Sequence, residues 1–254
     1  MKTAVISGGN GGLGRALAKQ LERQGWHSVL MDINVSGLTA TSSRTPVAVD
    51  LTDVSALRKA AANVIATRPS IDLVIYNAGV TQIGLFETAD AQTHRHVFDI
   101  NYFAAVEMAR AFLEPIRDSR GTHLAMSSVA GFAPLHGRTA YAASKHALQG
   151  FFTSLRSEES CYGVRCLIAA PSFVATNIGN PTTSLSGLVR PGSAEDGMDY
   201  ISPDTAAREI LRGFEKRIDF IPVGRVARFA SLLMRVSPGL YQRLMWRRIA
   251  LAEE

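Results

Sequence analysis

Short apolar, β-branched runs alternate with helix-patterned segments along the 254 residues, which predicts an α/β protein built on one doubly wound parallel sheet of about seven strands. Two further observations point the same way. A hydrophobic content of 46% supplies a large core, and folds of this class often reach this length undivided. A glycine cluster also lies between the first strand pattern and the first helix pattern.

The strand runs fall at 3–7, 27–32, 46–49, 71–76, 122–127, 164–170 and 219–223. The helical patterns fall at 12–24, 53–68, 93–118, 139–162 and 203–217. Right-handed crossovers then cover both faces of the sheet and leave ligands at the carboxyl ends of the strands. The segment 177–202, rich in Gly and Pro, reads as a long loop around at most a short helix, the length of a lid. Beyond Gly224 the pattern gives two amphipathic helices, 226–235 and 240–248, interrupted by Pro238-Gly239.

Composition removes several alternatives. Cys161 and Cys166 suggest neither a disulfide framework nor a metal site, so a reducing cytoplasm is expected. His94 and His96 are two apart on a helix and cannot share a face, so no metal is expected there either. Met1-Lys2-Thr3 runs straight into a strand, which leaves no room for a signal peptide in the sequence as read, and no stretch reaches the ~20 apolar residues of a membrane span. The net charge is +5, but the six arginines 225, 228, 235, 243, 247 and 248 fall between Phe220 and Ala252, where no acid occurs. The rest of the chain is close to neutral, which argues against nucleic-acid binding.

The first strand leads into Ser7-Gly8-Gly9-Asn10-Gly11-Gly12-Leu13-Gly14 and an amphipathic helix. Glycines there allow a tight turn, close approach to a pyrophosphate and packing of helix on strand, while the helix N-terminus offers N–H groups to the anion. Arg15-Ala16 stand where an NTPase loop needs Lys and Ser/Thr, so that reading is rejected. Strand two ends in Asp32, whose carboxylate can accept ribose hydroxyls and would repel a 2′-phosphate. No Lys or Arg follows before Arg44, and none lies inside the glycine loop. NAD(H) is therefore expected in preference to NADP(H).

Ser128 stands at the end of a strand, and Tyr141 and Lys145 follow at helical spacing of four, on one face a turn apart. A free tyrosine titrates near ~10, and a close ammonium should lower it, giving an acid/base for an alcohol or ketone oxygen. Ser128 can hold the same oxygen. A Tyr-x-x-x-Lys pair alone is weak, but with the serine and the glycine loop it is a strong signal.

With these residues in place, the chain resembles the short-chain dehydrogenase/reductase (SDR) family from end to end. Ser7-Gly8-x-x-x-Gly12-x-Gly14 is similar to the family's TGxxxGxG, with Ser for Thr. Asp50-Leu51 resembles its adenine-contacting acid, Asn77-Ala78-Gly79 its NAG strand end, and Asn101 its helix asparagine. The resemblance implies a Rossmann-type fold, with a catalytic body over 1–224 and a basic helical extension of the same domain over 225–254. It implies hydride exchange with a secondary alcohol or ketone, Tyr141 transferring the proton and Lys145 also holding the nicotinamide ribose. Asn101 would position a water that continues a relay from Lys145. Pro171, Val174 and Thr176 would line the carboxamide and pyrophosphate side, although Ser172 replaces the family's glycine. Residues 33–45 are too few and too polar for the family's full second helix, so a more open adenine edge is expected.

A homodimer or homotetramer is implied through the helix 139–162, whose Ala143, Ala147 and Phe151 spread around more than one face. Phe132, Leu135, Phe173 and Ile178 are candidates for an apolar substrate pocket with His136 at its mouth, and core packing explains each nearly as well. The substrate expected is a small molecule, bulky and apolar. An epimerase or dehydratase, and a cofactor-binding redox sensor without chemistry, are the competing functions. The arginine-rich tail suits either a peripheral membrane contact or a subunit contact with a solvated basic face.

Overall fold

The computed structural model describes residues 1–176, 188–189, 191–192 and 199–252, with side chains as far as residue 247. Seven parallel strands form the central sheet: β1 (Thr3–Ser7), β2 (His27–Asp32), β3 (Arg44–Ala48), β4 (Leu73–Tyr76), β6 (Thr122–Met126), β7 (Arg165–Pro171) and β9 (Phe220–Val223). Their order is β3-β2-β1-β4-β6-β7-β9, so the chain reverses direction of travel between β1 and β4. A crevice opens at such a reversal, outside the carboxyl ends of the strands.

Successive side chains of a strand point to opposite faces, and the core divides accordingly. Val5, Val29, Met31, Val74, Tyr76, Ala125, Cys166 and Ile168 face the layer of α2 (Val54–Thr67), α4 (Ala104–Ala111), α5 (Leu113–Ser119) and α6 (Thr139–Glu159). Their neighbours Ala4, Ile6, Leu30, Leu73, Ile75, Leu124 and Leu167 face α1 (Gly12–Arg23) and α7 (Pro203–Glu215). Burial on both faces explains why these strands read as near-continuous apolar runs.

The helix expected over 93–118 is divided. It runs as α3 (Ala91–Phe98), one wide π turn (Asp99–Phe103), α4 and α5, with a break at Phe112. Pro115 accounts for the break, since it cannot donate to the carbonyl four residues back and its ring crowds that turn. The π turn inserts one extra residue and swings Asn101 inward. A two-stranded antiparallel ribbon, β5 (Thr81–Gln82) with β8 (Leu188–Val189), is too short for a periodicity signal. Most of the loop expected at 177–202 lies outside the described residues. The third strand begins at Arg44, two residues before the predicted start, and residues 33–43 carry no helix.

Beyond β9, α8 (Arg225–Val236) and α9 (Pro238–Ala252) follow the predicted pair, with Pro238 opening the second helix. Ala227 and Ala230 of α8 and Tyr241 of α9 pack on Val129 and Ala133, in the loop just after Ser128.

Candidate active site

The glycine loop is a cradle with little room for side chains. Gly8 has φ +60°, and a Cβ there would lie 2.9 Å from the Cα of Ala78. At Gly9 a Cβ would meet Leu30 at 2.6 Å, and at Gly14 it would meet the Gly8 carbonyl at 2.3 Å. Helices α2, α3 and α7 are capped by the side chains of Asp53, Asp90 and Ser202, whereas Gly11 gives α1 no such cap. The first-turn N–H groups of α1 are thus left for an anion. This backbone fits a dinucleotide pyrophosphate. Thr176 closes the cradle from the β7 side, its Cβ 3.1 Å from where a Cβ on Gly12 would stand. Leu13, in the first turn of α1, is partly buried against the core.

Ser7 ties β1 to β4 at the reversal. Its hydroxyl accepts from the N–H groups of Asn77 and Ala78 at 2.9 and 3.0 Å, and donates to Ile75. The Asn77 amide donates back to the carbonyls of Ser7 and Gly8 at 3.1 and 3.0 Å. Gly79 comes next and faces the chemistry: a Cβ there would lie 3.1 Å from Asn101 Oδ1 and 3.5 Å from Lys145 Nζ. The path from cradle to ammonium is therefore short, through Ala78 and Gly79.

The four predicted polar residues converge at the ends of β4 and β6. Tyr141 shares a hydrogen bond with Ser128, whose hydroxyl also accepts from Ala130 N at 3.2 Å. Lys145 is buried, donates to the Met126 carbonyl at 2.8 Å, and lies 5.8 Å from the Tyr141 ring centre. Asn101, also buried, clasps the Val80 backbone, accepting from its N–H and donating to its carbonyl at 2.9 Å each. Its amide also donates to Ser144 Oγ at 2.9 Å, and Ser144 donates on to the Tyr141 carbonyl.

The electrostatics differ from the expectation in one respect. Helical spacing predicts that Lys145 depresses the Tyr141 phenol, yet burial pushes that phenol above its usual value, opposed by Ser128 and the positive charge of Arg138. Lys145 points at a carbonyl instead, and burial pulls its own ammonium down to about 8. Arg138, itself buried, stands three residues before Tyr141 at the start of α6. The sequence places it one turn away but gives no sign that an arginine at a helix start would be buried. Ser144, and Gln149, which donates to Ser127 at 2.8 Å, escape sequence reasoning as well, because both read as ordinary helix-surface polar residues.

Asp32 ends β2, where its carboxylate accepts from the backbone N–H of Asn10 at 2.9 Å and of Asn34 at 3.1 Å. It therefore also shapes the glycine loop. Arg15 bonds to the Asn10 side chain and carbonyl, bringing a cation closer to this edge than the sequence suggests. Asp50 accepts from Thr52 at the start of α2, and Leu51 packs on the core beneath it. Pro171 pairs with Val223, Ser172 N–H donates to the Val223 carbonyl, and Val174 bridges to Ile201. Of the pocket candidates, Phe132 packs edge-on to Phe220 and under α8, Phe173 lies against Tyr200, and His136 is exposed. Ile178 lies outside the described residues. No cluster of metal-ligating side chains occurs among the described residues.

A glycine cradle joined at a strand reversal to a Ser–Tyr–Lys cluster defines a nicotinamide-dependent oxidoreductase, and the comparisons with known proteins say which kind. The sequence model of the short chain dehydrogenase family matches residues 2–185, and the chain belongs to that family. It is 32% identical over 262 residues, 95% of this chain and 80% of the other, to dehydrogenase/reductase SDR family member 7B of Xenopus laevis. It is 36% identical over 217 residues to the 1-deoxy-11-beta-hydroxypentalenate dehydrogenase of Streptomyces avermitilis, covering 81% of this chain and 78% of that one. Its fold matches a short chain dehydrogenase from Burkholderia cenocepacia J2315 in complex with NADP, with a TM-score of 0.84, 22% identity and 96% of each chain covered.

Proposed function

We propose that this enzyme interconverts a secondary alcohol and a ketone with NAD(H), Tyr141 serving as the acid/base. The observation that carries the reading is the Ser128–Tyr141 hydrogen bond, set one helical turn from Lys145 and two backbone residues from the glycine cradle. Ser7, Gly8, Gly12, Leu13, Gly14, Asp32, Asp50, Leu51, Asn77, Ala78, Gly79, Pro171, Val174 and Thr176 would hold the dinucleotide, with Tyr141 and Lys145 at its ribose. When bound, that cofactor supplies or accepts the hydride.

Tyr141 donates its phenolic proton to the carbonyl oxygen in reduction and takes it back in oxidation, while Ser128 holds that oxygen in line. Lys145 keeps a positive charge behind the phenol, and Asn101 fixes the Val80 turn and Ser144 beneath it. Asp32 favours NAD(H), because a 2′-phosphate beside its carboxylate is repelled. Solved structures of this fold hold either cofactor: the Burkholderia cenocepacia enzyme and two others carry NADP or a derivative of it, and one from Burkholderia phymatum carries NAD. Bulk in the substrate is supported by the dehydrogenase from Streptomyces avermitilis, whose name specifies a hydroxypentalenate, and an apolar character rests on Phe132 and Phe173 near the site. A homodimer or homotetramer is supported by the outer side of α4 to α6, where Phe103 is half exposed beside Tyr102 and Phe151.

Cofactor choice is tested by fluorescence titration with NADH and NADPH. The unmodified enzyme should bind NADH more tightly. Asp32→Asn, which keeps an acceptor for Asn10 and removes the charge, should narrow the difference. Tighter NADPH binding by the unmodified enzyme would refute the assignment.

A further inference from the structure

We infer that α8 and α9 form a docking face for the surface of an anionic lipid bilayer. The outward residues of α8 recur at 225, 228, 229, 232, 235 and 236, one helical stripe, and every one is Arg or a large apolar residue. On α9, past Pro238 and Gly239, the exposed residues are 240, 243, 244, 246 and 247, again all Arg or large apolar groups. Phe229, Leu232, Val236 and Trp246 are 61%, 65%, 75% and 60% exposed, with Leu240 and Leu244 close behind. The inward sides are already satisfied by Ala227, Ala230 and Tyr241 on the loop after Ser128, so these apolar groups are not awaiting a turn into the core.

Charge decides between occupants. Arg228 is paired with Glu209, and Arg235 lies on the Phe220 ring, which leaves Arg225, Arg243 and Arg247 without an ion pair among the described residues. A solvated face would mix in acids, and this stretch has none. A second copy meeting the same patch across a two-fold axis would set arginine against arginine. Anionic headgroups answer the arginines while Trp, Phe and Leu enter the acyl boundary, the arrangement of an interfacial amphipathic helix. No helix among the described residues is long and apolar enough to cross a bilayer, so the contact lies in the plane of the surface. Its root on the loop beside Ser128 sets the active-site mouth close to that surface. Docking of this kind does not depend on the cofactor or the substrate, and it is read as binding rather than turnover.

The test is flotation of the full chain with phosphatidylcholine vesicles, with and without phosphatidylglycerol, while following Trp246 emission. The protein should float with the anionic vesicles alone, with a blue shift that Trp246→Phe removes. Phe229→Glu combined with Leu232→Glu, and separately Arg225→Glu with Arg243→Glu, should weaken vesicle binding roughly tenfold or more with NADH binding unchanged. Failure to float with anionic vesicles would overturn the inference, as would equal flotation of the charge-reversed and unmodified chains. Dissociation of a dimer by these substitutions, with no vesicle binding by either form, would assign the face to a subunit contact instead.

Discussion

Arg138 and Lys145 divide the positive charge around Tyr141. Arg138 acts on the phenol directly, opposing the burial that pushes it up. Neutralising it, as in Arg138→Met, removes a lowering influence, so the pH at which alcohol oxidation reaches half its plateau should rise, with Arg138→Lys restoring part of the shift. An unchanged pH–rate profile would remove Arg138 from the account. Lys145 is a buried cation held down to about 8, and at neutral pH that burial opposes folding. Lys145→Met should therefore raise the thermal midpoint of the protein while removing activity, by up to about 3 kcal/mol of stability. The sign follows from proton binding: the unfolded lysine stays protonated to about 10.5, so the penalty is whole below about pH 8 and fades as pH rises toward 10.5. A Met variant less stable than the parent at pH 7 would contradict this. The types and spacing of Ser128, Tyr141 and Lys145 were legible in the sequence. The direction in which Lys145 points was not, because helical spacing puts two side chains on one face without fixing which acceptor each finds.

The element that most constrains the site is the β1–loop–α1 unit. Its glycines are required by contact as well as by φ, since a methyl group on Gly14 would stand 2.3 Å from the Gly8 carbonyl. Gly14→Ala must push the loop away from the helix, and should cost about 1–3 kcal/mol in denaturant unfolding together with a loss of NADH affinity. Unchanged affinity would mean that the loop does not hold the cofactor. Strand positions were readable here because burial on both faces makes the central strands near-continuous apolar runs. The division of the 93–118 helix was harder to foresee. Pro115 carries a signal for its break, but the π turn depends on Asn101 finding Val80 and Ser144, contacts between distant segments that no local pattern encodes.

At the scale of the whole molecule, the core contains titratable groups that the chemistry does not use, among them His123. His123, at 0% exposure, meets the Tyr76 hydroxyl, lies tilted against Phe152, and is lowered by burial to about 4. An unfolded histidine binds its proton near 6.5, so stability present above that value is lost as pH falls through the window down to about 4. Urea unfolding should show a loss of about 3 kcal/mol over that range from this group, and His123→Gln should flatten the slope. An acid limb identical in both proteins would place its origin elsewhere. The same global view explains why the charge pattern could be read early. The arginines were plain in the sequence, but only the fold shows that their helices turn Phe229, Leu232 and Trp246 outward along with them.

Tyr141 as the proton donor beside a bound nicotinamide is the central claim. The most direct measurement is absorbance at 340 nm with a panel of bulky apolar ketones and alcohols, comparing the unmodified enzyme with Tyr141→Phe, each matched by NADH fluorescence titration. The unmodified enzyme should turn over at least one pair, and the variant should bind NADH equally well while its rate falls by roughly a hundredfold or more. Comparable rates in the two proteins would contradict the claim.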